Sequence, residues 1–228
     1  MAASLSPGAM PKRRAGLPLR EKQEGDPVNT AAHACDILPE SIPGLRAPSD
    51  WVEPDLVVLD QGRPVSFHIA DALRYHGLDS VGGVILGFRL AQRALAELSP
   101  YGPAERRELA LFTSFPGYGV RDTLELVTRM VSEGRYTVDP SFVDERASEG
   151  VTGRCYFRFS LGGKLLELSP PPGVPGAEFV RWGRASKVPA PDASTGADIA
   201  RRWKDAKFDL ANLLLAADCR KALRVLTR

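Results

Sequence analysis

His76, Asp79 and Tyr118 carry the side chains in this sequence best suited to moving a proton, and each stands in or beside a glycine-rich stretch. The first stretch is Tyr75-His76-Gly77-Leu78-Asp79-Ser80-Val81-Gly82-Gly83; the second is Pro116-Gly117-Tyr118-Gly119-Val120-Arg121-Asp122. Imidazole and carboxylate suit general acid–base work, a phenol donates a hydrogen bond, and a guanidinium holds a carboxylate or phosphate. Glycine lets a ligand approach the backbone, and a helix start presents unpaired N–H groups to an anion. If the two loops converge, they form a pocket with His76, Asp79 and Tyr118 as its catalytic set. Gly82, Gly83, Arg89, Gly119 and Arg121 are then its ligand-binding set. In that pocket His76 is the acid or base, Asp79 its partner or a second base, and Arg89 or Arg121 the anion holder. The competing expectation is that both loops are ordinary helix starts on a fold that binds nothing.

The flanking patterns predict the elements that position these residues. Asp55 to Asp60 is a short apolar run closed by Gln61-Gly62-Arg63-Pro64, which reads as a strand and turn. Val65 to His76 reads as a helix with Ser66 as N-cap, placing His76 at its end. His68 lies about two turns from His76, roughly 12 Å along that axis, too far to share a metal with it. A second helix is expected from Gly83 to Leu98, a strand over Glu108–Phe115, and a third helix over Thr123–Ser132. Tyr136-Thr137-Val138 reads as a short strand.

Arg154 to Leu161 alternates cleanly, and Gly162-Gly163 is a two-residue hairpin turn before Lys164 to Leu168. The register predicts Phe159 opposite Leu166, Phe157 opposite Leu168, and an Arg158–Glu167 cross-strand pair. Cys155 falls on the phenylalanine face and reads as a core cysteine. Residues 170–197 read as a proline- and glycine-rich surface excursion anchored by Phe179, Val180 and Trp182. Apolar residues from Ile199 to Val225 predict closing helices broken near Asp218, with Arg201, Arg202, Lys204 and Lys207 as a solvated face. Residues 1–50 read as a mobile tail and irregular arm, and residues 51–228 as one domain.

Composition excludes more than it selects. The formal net charge of +2 gives no electrostatic case for nucleic acid or a membrane surface. No apolar run approaches the roughly 20 residues of a membrane span, and no apolar stretch follows Lys12-Arg13-Arg14 to make a secretory signal. Cys35, Cys155 and Cys219 are far apart, which argues against a disulfide framework or a zinc ribbon and for a cytoplasmic setting. His33 and Cys35 are a weak pair of potential metal ligands. No P-loop, dinucleotide fingerprint, Gly-x-Ser-x-Gly or His-Glu-x-x-His motif is present.

Tyr75-His76-Gly77 followed by Val81 to Arg89 resembles the signature of the FmdE-like family, named for a component of formylmethanofuran dehydrogenase. That signature runs from an aromatic through His-Gly-His and Cys-Pro-Gly to an apolar triplet and Gly-Tyr-Arg. Gly117-Tyr118-Gly119-Val120 resembles the family's Gly-Cys-Gly-Val, and Leu213 to Val225 its closing segment. The resemblance spans roughly Phe67 to the end. It implies an α+β fold: a helix–strand–helix–three-strand core with a mixed, mostly antiparallel sheet packed on helices. It also implies a zinc-binding ancestry and a homodimer. Leu78 stands where the second histidine would be, Val81 or a neighbour where the first cysteine would be, and Tyr118 where the second would be. A thiolate zinc site is therefore not expected, and His76, Asp79 and Tyr118 make either a harder N/O metal site or a metal-free acid–base set.

These readings lead to a protein that binds or transforms a polar, anionic metabolite in a biosynthetic pathway and is not itself a formylmethanofuran dehydrogenase. The alternatives are a metal-binding protein with His76 as a ligand, and a non-catalytic component or interaction module.

Overall fold

The computed structural model describes residues 42–47 and 56–226. The expected tail and arm, with His33 and Cys35, lie outside the described residues apart from 42–47.

Strands β1 (Leu56–Asp60) and β2 (Arg63–Phe67) form an antiparallel hairpin that pairs Leu56 with Phe67. This corrects the expected helix over Val65–His76: Ser66 is a strand residue and caps nothing. Gln61 and Gly62 both have positive φ, at 54° and 76°, the conformation of a tight hairpin turn. The Glu105 carboxylate accepts hydrogen bonds from both of their N–H groups, at 3.1 and 2.6 Å. Helix α1 therefore begins only at Ile69 and runs to His76. The N–H of His68 donates to Asp71 across its first turn, at 2.9 Å.

Helix α2 (Val81–Leu98) is the centre of the fold, since 14 of its 18 residues are buried. It packs on α1, on α3 (Tyr118–Thr128) and on α5 (Ala193–Ala216), and also meets β5 (Phe157–Leu161) and β6 (Lys164–Ser169). Such a helix is apolar over most of its circumference, with Arg89 and Gln92 as its buried polar residues. It must also be thin wherever its neighbours come closest. A Cβ on Gly82 would lie 2.9 Å from the Lys207 carbonyl of α5, and one on Gly87 2.9 Å from the Thr123 Cβ of α3.

The main sheet has the order β4-β3-β5-β6-β7. Strand β3 (Ala110–Thr113) runs parallel to β4 (Tyr136–Val138) and antiparallel to β5. β5 pairs antiparallel with β6, and β6 with β7 (Arg224–Val225). The fold is α+β with a mixed, mostly antiparallel sheet packed on helices, as expected. The hairpin register is as predicted: Phe159 faces Leu166 and Phe157 faces Leu168. The Arg158–Glu167 ion pair does not form, although the two residues are opposite. Arg158 lies 4.8 Å over the Phe112 ring, while Glu167 accepts from Arg146 at 3.0 Å and from the Tyr156 hydroxyl at 2.7 Å. Cys155 is buried as expected, and burial pushes its thiol pKa up to about 12.

Residues 170–197 contain helix α4 (Ala177–Ala185), whose Phe179 meets Trp203 edge-on at 4.8 Å between ring centres. The last helix breaks where expected: Asp218 caps the short α6 (Cys219–Ala222) by accepting from the N–H groups of Arg220 and Lys221. Val225, expected in that helix, belongs instead to β7.

Candidate functional site

The two glycine loops do converge. α2 starts after Ser80 and α3 after Gly117, and the two starts meet backbone to backbone. A Cβ on Gly83 would lie 3.4 Å from the Gly119 Cα, and one on Gly119 2.7 Å from the Val84 nitrogen. Nothing larger than hydrogen fits at Gly119 without a backbone shift. Helix α3 begins five residues before its expected start at Thr123, so most of the second loop is the first turn of a helix.

In front of this junction lies a pocket of about 160 Å³. Gly83, Gly117, Tyr118 and Gly119 form its loop side, and Phe115, Phe179 and Trp203 supply aromatic walls. Lys187 and Lys207 bring two ammonium groups to it. Lys187 donates to the Thr152 hydroxyl, and Lys207 lies 5.5 Å over the Trp203 ring. Lys207 also donates to the Asp79 carboxylate at 2.9 Å. That hydrogen bond and the ammonium charge hold the Asp79 carboxyl below the usual carboxylate range. Lys207, expected on a solvated face, is thus part of the pocket.

Asp79 is not the partner of His76. The Asp79 side chain is 93% exposed and turned to Lys207. His76 Nδ1 lies 2.7 Å from Asp122 Oδ2, and the imidazole is only 10% exposed. With Nδ1 committed to a carboxylate, Nε2 is the nitrogen left for exchange. Asp122 is four residues after Tyr118, so the two lie on the same side of α3, one turn apart. The His76–Asp122 pair therefore sits one helical turn from the pocket residue Tyr118 and does not line the pocket itself. Arg121 lies 3.9 Å from Asp122 and is also outside the pocket lining, so it does not hold an anion there. Nearby, the Tyr136 hydroxyl is buried without a hydrogen-bond partner among the described residues. Burial raises its pKa to about 12, with Asp122 adding to the rise and Arg121 opposing it.

The other expected site residues divide. Tyr118 lines the pocket and is 68% exposed. Gly83 and Gly119 line it while also sealing α2 to α3. Gly82 faces α5 instead. Arg89 is no anion holder in this pocket: it is 2% exposed and its guanidinium donates to the carbonyls of Leu214 and Leu215, each at 3.1 Å, and to Gln92 at 2.9 Å. It caps the end of α5, where carbonyls lack partners within the helix. Arg106 does the same for α3, donating to the carbonyls of Leu126 and Val127.

Among the described residues no three His, Cys, Asp or Glu side chains are grouped to hold a metal ion. Among the described residues no further pair of metal ligands is grouped with His76, and Asp79 is drawn to Lys207.

No family model, curated protein or solved structure matches the chain.

A larger cleft, of about 540 Å³, lies between residues 145–149 and α4. Its arginines are mostly neutralised: Arg146 pairs with Asp144 and Glu167, Arg184 with Glu149, and Arg181 with Glu178. The smaller pocket has the better claim, because both glycine loops build it. Sequence reasoning alone misses Asp122 as the partner of His76, and Lys187 and Lys207 as residues of this pocket. The spacing of Asp122 from Tyr118 is a usable signal. The lysines give none, since nothing local ties them to the loops. Among the described residues no helix is long and apolar enough to cross a membrane.

Proposed function

We propose that this chain binds a small anionic molecule in the pocket between the two glycine loops and that the His76–Asp122 pair, one helical turn from Tyr118, carries its proton transfer. The observation that carries the reading is the convergence of both loops on one pocket that holds two lysines against aromatic walls. Lys187 and Lys207 neutralise the anion, while the aromatic side chains cover its apolar part. His76 is the acid or base, and Asp122 fixes its tautomer and orientation. Tyr118 supplies a hydrogen bond from the rim. The likeness of Tyr75 to Arg89 to the FmdE-like signature belongs to this reading as a proposal of ancestry: a metal-binding pocket that lost its thiolates and kept its loops. Biosynthetic use and a cytoplasmic homodimer are part of the same proposal.

A thermal-shift screen of small mono- and dicarboxylates and phosphate esters tests it. The expected result is a stabilising anion whose effect disappears in the Lys187→Ala/Lys207→Ala double variant. Turnover of that anion is lost in His76→Ala while binding remains. A His76→Ala protein with full turnover would end the acid–base assignment. An anion bound equally well without both lysines would end the pocket assignment.

A further inference from the structure

Behind the pocket is a second, smaller space of about 30 Å³. It shares the lining residues Gly83, Phe115 and Phe179 with the pocket and is otherwise walled by buried residues that include Leu86, Cys155, Leu210 and Leu214, with Val174 partly buried. These inner walls offer no charged group. The thiol of Cys155, with its pKa pushed up by burial, stays neutral there. The order of chemistry from outside to inside is therefore two ammonium groups, then aromatic faces, then an aliphatic end.

The volumes limit what fits. An apolar cavity of roughly 150 Å³ holds one benzene ring. The outer pocket, at about 160 Å³, has that size. The inner space, at about 30 Å³ by the same measure, is about a fifth of that size and so admits a small alkyl group and no second ring. Aromatic side chains pack best on another ring, edge-on or offset. Phe115, Tyr118, Phe179 and Trp203 all line the outer pocket and give a ring such partners.

We infer that the ligand is a monocyclic aromatic acid carrying a small alkyl group opposite its carboxylate. The carboxylate meets Lys187 and Lys207, the ring fills the outer pocket, and the alkyl group enters the inner space. The inference rests on the proposed function above and narrows its ligand class.

Calorimetric titration of the full chain with benzoate, 4-methylbenzoate, 4-tert-butylbenzoate, benzamide and succinate tests it. Benzoate should bind, and 4-methylbenzoate should bind about fourfold tighter, the gain of one buried methylene-sized group. 4-tert-Butylbenzoate, too bulky for the inner space, should bind more weakly than benzoate. Benzamide, uncharged, should also bind more weakly. Val174→Leu, which fills the inner space from its partly buried side, should erase the 4-methyl advantage and leave benzoate unchanged. A 4-methyl compound no tighter than benzoate in the native chain overturns the inference, as does benzamide matching benzoate. If succinate binds through Lys207 and the benzoates do not, the ligand class is wrong and the pocket reading stands. If none of the probes binds, both fail.

Discussion

His76 Nδ1 and Asp122 Oδ2 are 2.7 Å apart, joining the end of α1 to the first turns of α3 across 46 residues of sequence. In the neutral imidazole, a carboxylate at Nδ1 favours the tautomer with hydrogen on Nδ1 and a lone pair on Nε2. Nitrogen NMR of the imidazole should report that tautomer in the native protein. Asp122→Ala should shift the population toward hydrogen on Nε2 and lower turnover at least about tenfold. An unchanged tautomer in the variant would remove Asp122 from the mechanism.

Asp79 and Lys207 give a second prediction. Their bridge is exposed on the Asp79 side, and exposed ion pairs contribute about 0–1 kcal/mol. Asp79→Asn should therefore leave stability nearly unchanged in chemical denaturation. It should tighten binding of an anionic ligand several-fold, because it frees the Lys207 ammonium. The small stabilisation from Asp79 is present above its ordinary pKa of 3.8 and lost as pH falls through the lowered folded value. A turnover defect in Asp79→Asn would restore Asp79 to the catalytic set.

Gly119→Ala should be costly. Its new Cβ would lie 2.7 Å from the Val84 nitrogen and 2.8 Å from the Ser80 oxygen, both backbone atoms that cannot rotate away. A loss of about 1–3 kcal/mol or more is expected in urea denaturation from such overpacking. Gly77→Ala is a useful contrast. No atom crowds that position, and only its positive φ of 86° opposes a side chain.

Arg89→Met should destabilise by at least about 2 kcal/mol, because it strips the Leu214 and Leu215 carbonyls of a buried donor. Ligand affinity measured on the folded fraction should not change. A selective loss of anion binding with intact stability would return Arg89 to the binding set.

Stability should fall as the solution is made alkaline. The Cys155 thiol titrates near 9.0 in the unfolded chain and at about 12 within the fold. Between those values the unfolded chain binds fewer protons than the folded one, so unfolding becomes easier as pH rises. Urea midpoints measured at rising alkaline pH should decline, and those of Cys155→Ala should decline less steeply. Below its folded pKa the native Cys155 thiol should resist alkylation, since the thiolate is the reactive form.

Much of the molecule is legible wherever the information is local. The β5–β6 register follows from alternation and Gly162-Gly163 alone. The central helix follows from its unbroken apolar face, and the place of His76 from a helix end before glycine. Long-range facts are not legible. Gln61-Gly62 turns tightly with Glu105 bonded to its backbone from far along the chain, and without that bond in view Val65 to His76 reads as one helix. Arg89 looks like a ligand-holding arginine until the end of α5 is seen to lie against it. Gly82 and Gly119 look like phosphate-loop glycines, yet their missing side chains also admit neighbouring backbone. Asp79 is nearer in sequence to His76 than Asp122 is, but the helix pair decides the partner.

The meeting of Gly83 and Gly119 has a mechanical consequence. With backbone against backbone, neither loop can swing open as an independent flap without dragging the start of the other helix along. Of the side chains around the pocket, Tyr118 is largely exposed, whereas Lys207 is bound to Asp79. A displacement of either helix start is therefore passed directly to the other.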